Sequence, residues 1–199
     1  MTDGGALFFG GSELGLISLA SAAGLAGAVG VGLVFLQAAL AKLRHRDLLA
    51  GVIANYRLLS PALTGPAALL LPPAELAVSL GLLLGGAWQP VQFLAALGAI
   101  ALLLVFAAAM GINIARGRSH IDCGCGRSQL RQPLSWLLVW RNLALAALLT
   151  PLLAPLDLPA PTGADLAIAL AGGLAVFVIV QLFNAIGALA GSPLASSRR

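Results

Sequence analysis

Apolar residues run almost unbroken through five stretches of this sequence, 14–40, 66–87, 91–115, 135–154 and 164–190, with short polar or proline-bearing segments between them. A hydrocarbon core about 30 Å thick is crossed by about 20 helical residues. Each stretch meets or approaches that length, so the pattern predicts an all-α polytopic membrane bundle with about five transmembrane helices. The second stretch contains Pro72 and Pro73. Proline lacks a backbone donor and its ring clashes with the preceding turn. Regular helix is therefore expected to begin near Pro73, with 66–72 irregular.

The segment between the first two stretches has a different pattern. Leu48, Leu49, Val52, Ile53, Tyr56 and Leu59 fall on one face of a 3.6-residue period, with Arg46, Asn55 and Arg57 mostly off it. This predicts a short amphipathic helix over about 47–60, lying in the membrane interface. Asp47 is a plausible N-cap for it. The first stretch carries small residues four apart, at Ala20/Gly24, Ala26/Gly30 and Ala28/Gly32. Such pairs let helix backbones approach closely. In a chain this rich in Ala and Gly they also arise by chance, so they imply only that the helix can pack tightly.

Composition agrees with lipid as the solvent. The 199 residues are 60% hydrophobic and 9% charged, where a soluble domain carries about a quarter charged residues. One membrane domain over 1–199 accommodates all five spans. The net charge of +4 does not indicate a nucleic-acid partner, because the basic residues stand between apolar runs instead of forming one face. Lys42, Arg44, Arg46 and Arg57 follow the first span; Arg116, Arg118, Arg127 and Arg131 follow the third; Arg141 opens the fourth; Arg198 and Arg199 end the chain. Five spans put all eleven on one side. The positive-inside rule then predicts the N-terminus outside, with the C-terminus and the loop 116–134 cytoplasmic. Met1 to Glu13 has no basic residue, so no cleavable signal peptide is expected.

The chemistry concentrates in that loop. The chain has two cysteines, Cys123 and Cys125, within Ile121-Asp-Cys-Gly-Cys-Gly126. A disulfide across one intervening residue is strained and more readily reduced, which suits an exchange partner better than a staple. Gly124 and Gly126 ease the backbone around so tight a ring. The neighbouring arginines favour thiolates, the attacking species. Asp122 opposes that and is a candidate proton handler. Two other readings stay open. One is an inert thiol pair. The other is a soft-metal site on His120, Cys123 and Cys125, spaced to hold Cu(I) or zinc.

Seven polar residues enter the spans toward the same side: Gln37, Glu75, Asn113, Arg141, Asn142, Gln181 and Asn184. Polar groups at membrane depth are costly and mark sites or interhelical glue. They suggest a polar cavity beneath the cysteine loop, with Glu75, Arg141 and Asn142 together, Glu75 and Arg141 paired, and Lys42 close by. A Glu75 in the first turn of a helix starting at Pro73 would equally well complement the helix dipole. Trp136 and Trp140 are expected to anchor the fourth span at the interface. The cofactor is left open, with a quinone stacked on these rings as one candidate.

The string Gly111-Ile-Asn-Ile-Ala-Arg-Gly-Arg-Ser-His-Ile-Asp-Cys-Gly-Cys-Gly126, followed by Trp140-Arg-Asn142, resembles the methylamine-utilisation protein MauE family. Ala41-Lys-Leu43, Tyr56-Arg-Leu-Leu-Ser-Pro61 and Pro73-Ala-Glu-Leu76 are similar to the same family and to the related DoxX-like membrane proteins. The resemblance covers about 30–150 and implies a multi-pass protein of the bacterial inner membrane. It implies thiol–disulfide maturation of the disulfide-rich methylamine dehydrogenase small subunit, or of a client in a related pathway, with a thioredoxin-like partner. By position it implies Cys123 and Cys125 as the redox pair, supported by Lys42, Glu75, Arg141 and Asn142. The sequence departs from the family at Gly126-Arg127, where Phe-Gly is common. Maturation of a secreted subunit would place the chemistry outside, whereas the charge pattern puts the loop inside. A relay would reconcile the two, and it needs a second carrier because the chain has no third cysteine. The alternative functions are a small-molecule or metal transporter and a non-catalytic assembly factor.

Overall fold

The computed structural model describes residues 6–121, 133–154 and 163–190. Helix α1 runs Ala6–Arg44, α2 Arg46–Tyr56, α3 Pro61–Leu84, α4 Gln89–Ala115, α5 Trp136–Leu149 and α6 Gly163–Ala190. There are no strands among the described residues. The chain is a multi-pass membrane protein with five candidate spans, Ser21–Arg44, Pro61–Leu84, Gln89–Ala115, Trp136–Leu153 and Gly163–Leu189. The all-α bundle follows from its solvent: in lipid every backbone N–H and C=O must be satisfied within the protein, and a helix does so internally. Large side chains such as Leu69, Leu84, Val105, Ile179 and Ile186 face outward, as lipid allows.

Two local expectations change. α3 does not start at Pro73. It starts at Pro61 and continues through Pro66, Pro72 and Pro73. Pro61 takes the first helical position, where its missing N–H has no role. The interior prolines cost hydrogen bonds, but unwinding 66–72 in lipid would expose more backbone groups still. α2 is present where the amphipathic pattern predicted it, but it ends at Tyr56 instead of near 60, because Arg57 turns left-handed at φ 50°. Its N-cap is His45, and Asp47 lies in the first turn, where a negative charge complements the dipole. Leu49 is buried, whereas Leu48, assigned to the same face, is exposed.

α1 is the central strut, packing on α3, α5 and α6. Glycines set its closest approaches. A Cβ on Gly30 would lie 2.7 Å from the Val176 Cβ and 2.9 Å from the Gly173 carbonyl oxygen, and one on Gly27 would lie 2.9 Å from the Leu148 carbonyl oxygen. The small residues of α1 therefore meet backbone and not only side chains. Gly30 meets Gly173 and Val176, and Gln37 meets Gln181, so α1 and α6 run in the same direction. An odd number of spans requires this. The C-terminal ends of α1 and α4 and the whole of α2 come together at one end of the bundle. Lys42, Arg44, Arg46, Arg57, Arg116 and Arg118 gather there.

Candidate functional site

The basic end is organised by the way α4 stops. Gly117 adopts φ +72°, a conformation that glycine takes without strain. Its N–H donates to the Ile114 carbonyl (2.9 Å) and the Arg118 N–H to the Asn113 carbonyl (2.9 Å). This paired closure is a Schellman motif. It turns Arg118 back over the helix end. One guanidinium nitrogen donates to Asn113 Oδ1 (2.9 Å) and to the Tyr56 carbonyl (3.2 Å), and the other donates to the Asn55 carbonyl (2.6 Å). The last carbonyls of α2 have no partner within their own helix and carry the negative end of its dipole. Arg118 thus clamps the end of α2 to the end of α4. By sequence position alone Arg118 is one of the loop arginines that favour thiolates. Gly117, just beyond the last apolar residue of the span, was the available signal for the turn.

Cys123, Cys125 and Asp122 lie outside the described residues, as do Arg127 and Arg131. The chain on either side of them is described. The Leu134 N–H is shared between the carbonyls of Ser119 (2.9 Å) and Ile121 (3.3 Å), which ties the two ends of the cysteine segment together. Ile121 and Leu134 then pack in one apolar cluster with Met110, Leu138 and Tyr56. His120 is exposed beside this stem.

Among the described residues, the membrane-depth polar side chains pair in separate groups. Lys42 Nζ donates to both carboxylate oxygens of Glu75, at 2.7 and 2.9 Å. Glu75 is fully buried and the Lys42 side chain is 11% exposed. On the other side of α1, Gln181 donates to Gln37, and Arg141 donates to Asn142 Oδ1 and to Asn184 Oδ1. The expected Glu75–Arg141 pair is not formed. α3 and α5 both pack on α1 and α4 and share no extensive interface, so each charge finds its partner on a different neighbour. Glu75 is also mid-helix, so it does not serve the dipole of a helix starting at Pro73. Ser79 Oγ donates to the Gly32 carbonyl (2.8 Å), a second α1–α3 tie.

One cavity at this end, lined by described residues, is apolar. It has a volume of about 600 Å³ and lies between α2, α3 and α4. Leu49, Ile53 and Tyr56 contribute from α2, Leu70 from α3, and Phe106 and Met110 from α4. Lys42 is the charged side chain among the described residues that line it. Its ammonium also stands 5.8 Å from the Phe106 ring centre. The mouth carries Leu70 and Val105, 65% and 61% exposed, so it opens where lipid would surround the bundle. Trp136 and Trp140 are exposed, as interface anchors are, and do not line the cavity. No side-chain polar atom that is buried lacks a partner among the described residues. No group of three metal-ligating residues occurs among them either.

The sequence pattern of the family described as "Methylamine utilisation protein MauE" matches residues 20–156. The methylamine utilization protein MauE of Paracoccus denitrificans is 44% identical over 169 residues, covering 83% of this chain and 88% of that protein. Its counterpart in Methylorubrum extorquens is 46% identical over 151 residues, covering 74% of this chain and 78% of that protein. The one in Paracoccus versutus is 40% identical over 157 residues, covering 78% and 82% respectively. No solved structure matches.

Proposed function

This chain belongs to the methylamine utilisation protein MauE family, and we propose that it supports methylamine utilisation by maturing a disulfide-bearing client through thiol–disulfide exchange at Cys123 and Cys125. The observation that carries this reading is the closed stem. The shared hydrogen bond at Leu134 and the Arg118 clamp fasten both sides of the cysteine segment to the bundle. One intervening residue keeps Cys123 and Cys125 adjacent in sequence, and the described residues on both sides of their segment are anchored at the basic end. A thioredoxin-like protein is the matching partner, since exchange proceeds by thiolate attack through a mixed disulfide. The concentration of positive charge at this end supports a cytoplasmic orientation in the inner membrane.

The test uses single-cysteine variants in intact membranes. Cys123→Ser or Cys125→Ser removes the resolving thiol, so one of the two variants should accumulate a reducible mixed disulfide with a partner, absent in the double variant. If client maturation proceeds unchanged in the double variant, the protein is an assembly factor whose cysteines are not used. If the pair never oxidises and instead binds copper stoichiometrically with His120, the metal reading replaces exchange.

A further inference from the structure

We propose that the apolar cavity between α2, α3 and α4 is a binding site for a membrane quinone, with Lys42 donating a hydrogen bond to a ring carbonyl. The electron-accepting role given to that quinone below rests on the exchange reading; the binding site itself does not.

The charge at the cavity selects the kind of ligand. Lys42 has three N–H donors, two of which are given to Glu75. The third is not given to Glu75, and Lys42 lines the cavity. Glu75 already neutralises the ammonium, so an anionic head such as a fatty-acid carboxylate would meet no net positive charge and would face the buried carboxylate at short range. A neutral acceptor meets neither penalty. The walls select the rest. Phe106 and Tyr56 both line the space, which suits a flat ring. Its volume of about 600 Å³ lies within the range of small-molecule pockets. The mouth at Leu70 and Val105 leads into lipid, where an isoprenoid tail would remain. A planar, neutral, carbonyl-bearing ring on an apolar tail is a quinone.

The position supplies a use for it. Tyr56, Phe106 and Met110 line the cavity and belong to, or pack against, the cluster that seats Ile121 and Leu134, the two ends of the cysteine segment. A cysteine pair that oxidises clients is left as a dithiol after each turn, and the chain has no third cysteine to accept electrons. Re-oxidation forms the S–S bond between Cys123 and Cys125 and releases two electrons and two protons. A quinone takes up both to become the hydroquinone, which leaves through the lipid. This is the second carrier that a relay requires.

Full-length protein in lipid nanodiscs is incubated with a photoreactive short-tailed quinone, with decylubiquinone as competitor. Saturable labelling of α2 or α4 peptides is expected, displaced by decylubiquinone. Ala109→Phe and Ala67→Phe fill the cavity from two different walls, and each should weaken labelling at least tenfold. Undiminished labelling in both would overturn the site. Equal displacement by oleate or dioleoylglycerol would overturn quinone as the occupant, leaving an acyl-chain site. Cys123→Ser/Cys125→Ser should label as the unmodified protein does, which separates binding from exchange. Adding decylubiquinone to reduced protein should oxidise the pair, read by thiol alkylation. Saturable binding without oxidation would remove the electron-accepting role while the site stands, and exchange would still be decided by the mixed-disulfide trap.

Discussion

Lys42 and Glu75 form an ion pair with the carboxylate fully buried and the ammonium nearly so. Removing one partner leaves the other uncompensated, which costs about 3–5 kcal/mol for a buried pair. Glu75→Gln or Lys42→Met should each lower stability by that order in denaturant titrations of the detergent-solubilised protein. The double variant should recover part of the loss. Glu75→Gln combined with Arg141→Gln should be additive to within about 0.5 kcal/mol, because the two side chains share no partner. Strong coupling between Glu75 and Arg141 would contradict the arrangement. The depth of each of these residues was legible in the sequence, since helix position fixes depth. Their partners were not. Lys42 and Arg141 carry the same charge at the same end, and only the packing of α3 on α1 and of α6 beside α5's Arg141 assigns one to Glu75 and the other to Asn184. Arg118 was harder to read, because its acceptors include two backbone carbonyls that no residue pattern reveals.

Among the elements, α1 and α6 depend on small residues at their crossing. Gly30→Val would drive its side chain into Val176 and the Gly173 carbonyl. Overpacking of this kind costs about 1–3 kcal/mol, so a lower unfolding midpoint is expected. Gly51→Val, where a Cβ meets nothing within 4 Å, is the control and should leave the midpoint nearly unchanged. The Ala26/Gly30 spacing was visible in the sequence but indistinguishable from chance until Gly172 and Gly173 were found facing it. α2 is held at its C-terminal end by Arg118, so Arg118→Lys, which cannot reproduce the forked donor set, should raise amide hydrogen exchange across Asn55–Leu59 while leaving α4 protected. Unchanged exchange there would mean that the clamp is not what holds α2. The full helical reach of α3 is not legible in the sequence, because propensity rules that hold in water penalise its interior prolines. In lipid the cost of exposed backbone outweighs that penalty.

For the molecule as a whole, five spans, their approximate limits and the gathering of charge at one end were legible from apolar run length and from the positions of Lys and Arg. The apolar cavity was not, because its walls come from three helices whose mutual arrangement no single stretch encodes. With the basic end inside, reporter fusions at Gln89 and Pro159 should signal export and one at Ser128 should not. An exported signal from Ser128 would invert the orientation. The central claim, that Cys123 and Cys125 work as a reversible redox pair, is tested most directly by alkylating the protein in membranes equilibrated across a series of thiol–disulfide buffers. The account predicts a two-electron transition between dithiol and intramolecular disulfide at a relatively oxidising potential, lost when either cysteine is replaced. Two thiols that remain alkylatable at every potential would contradict it.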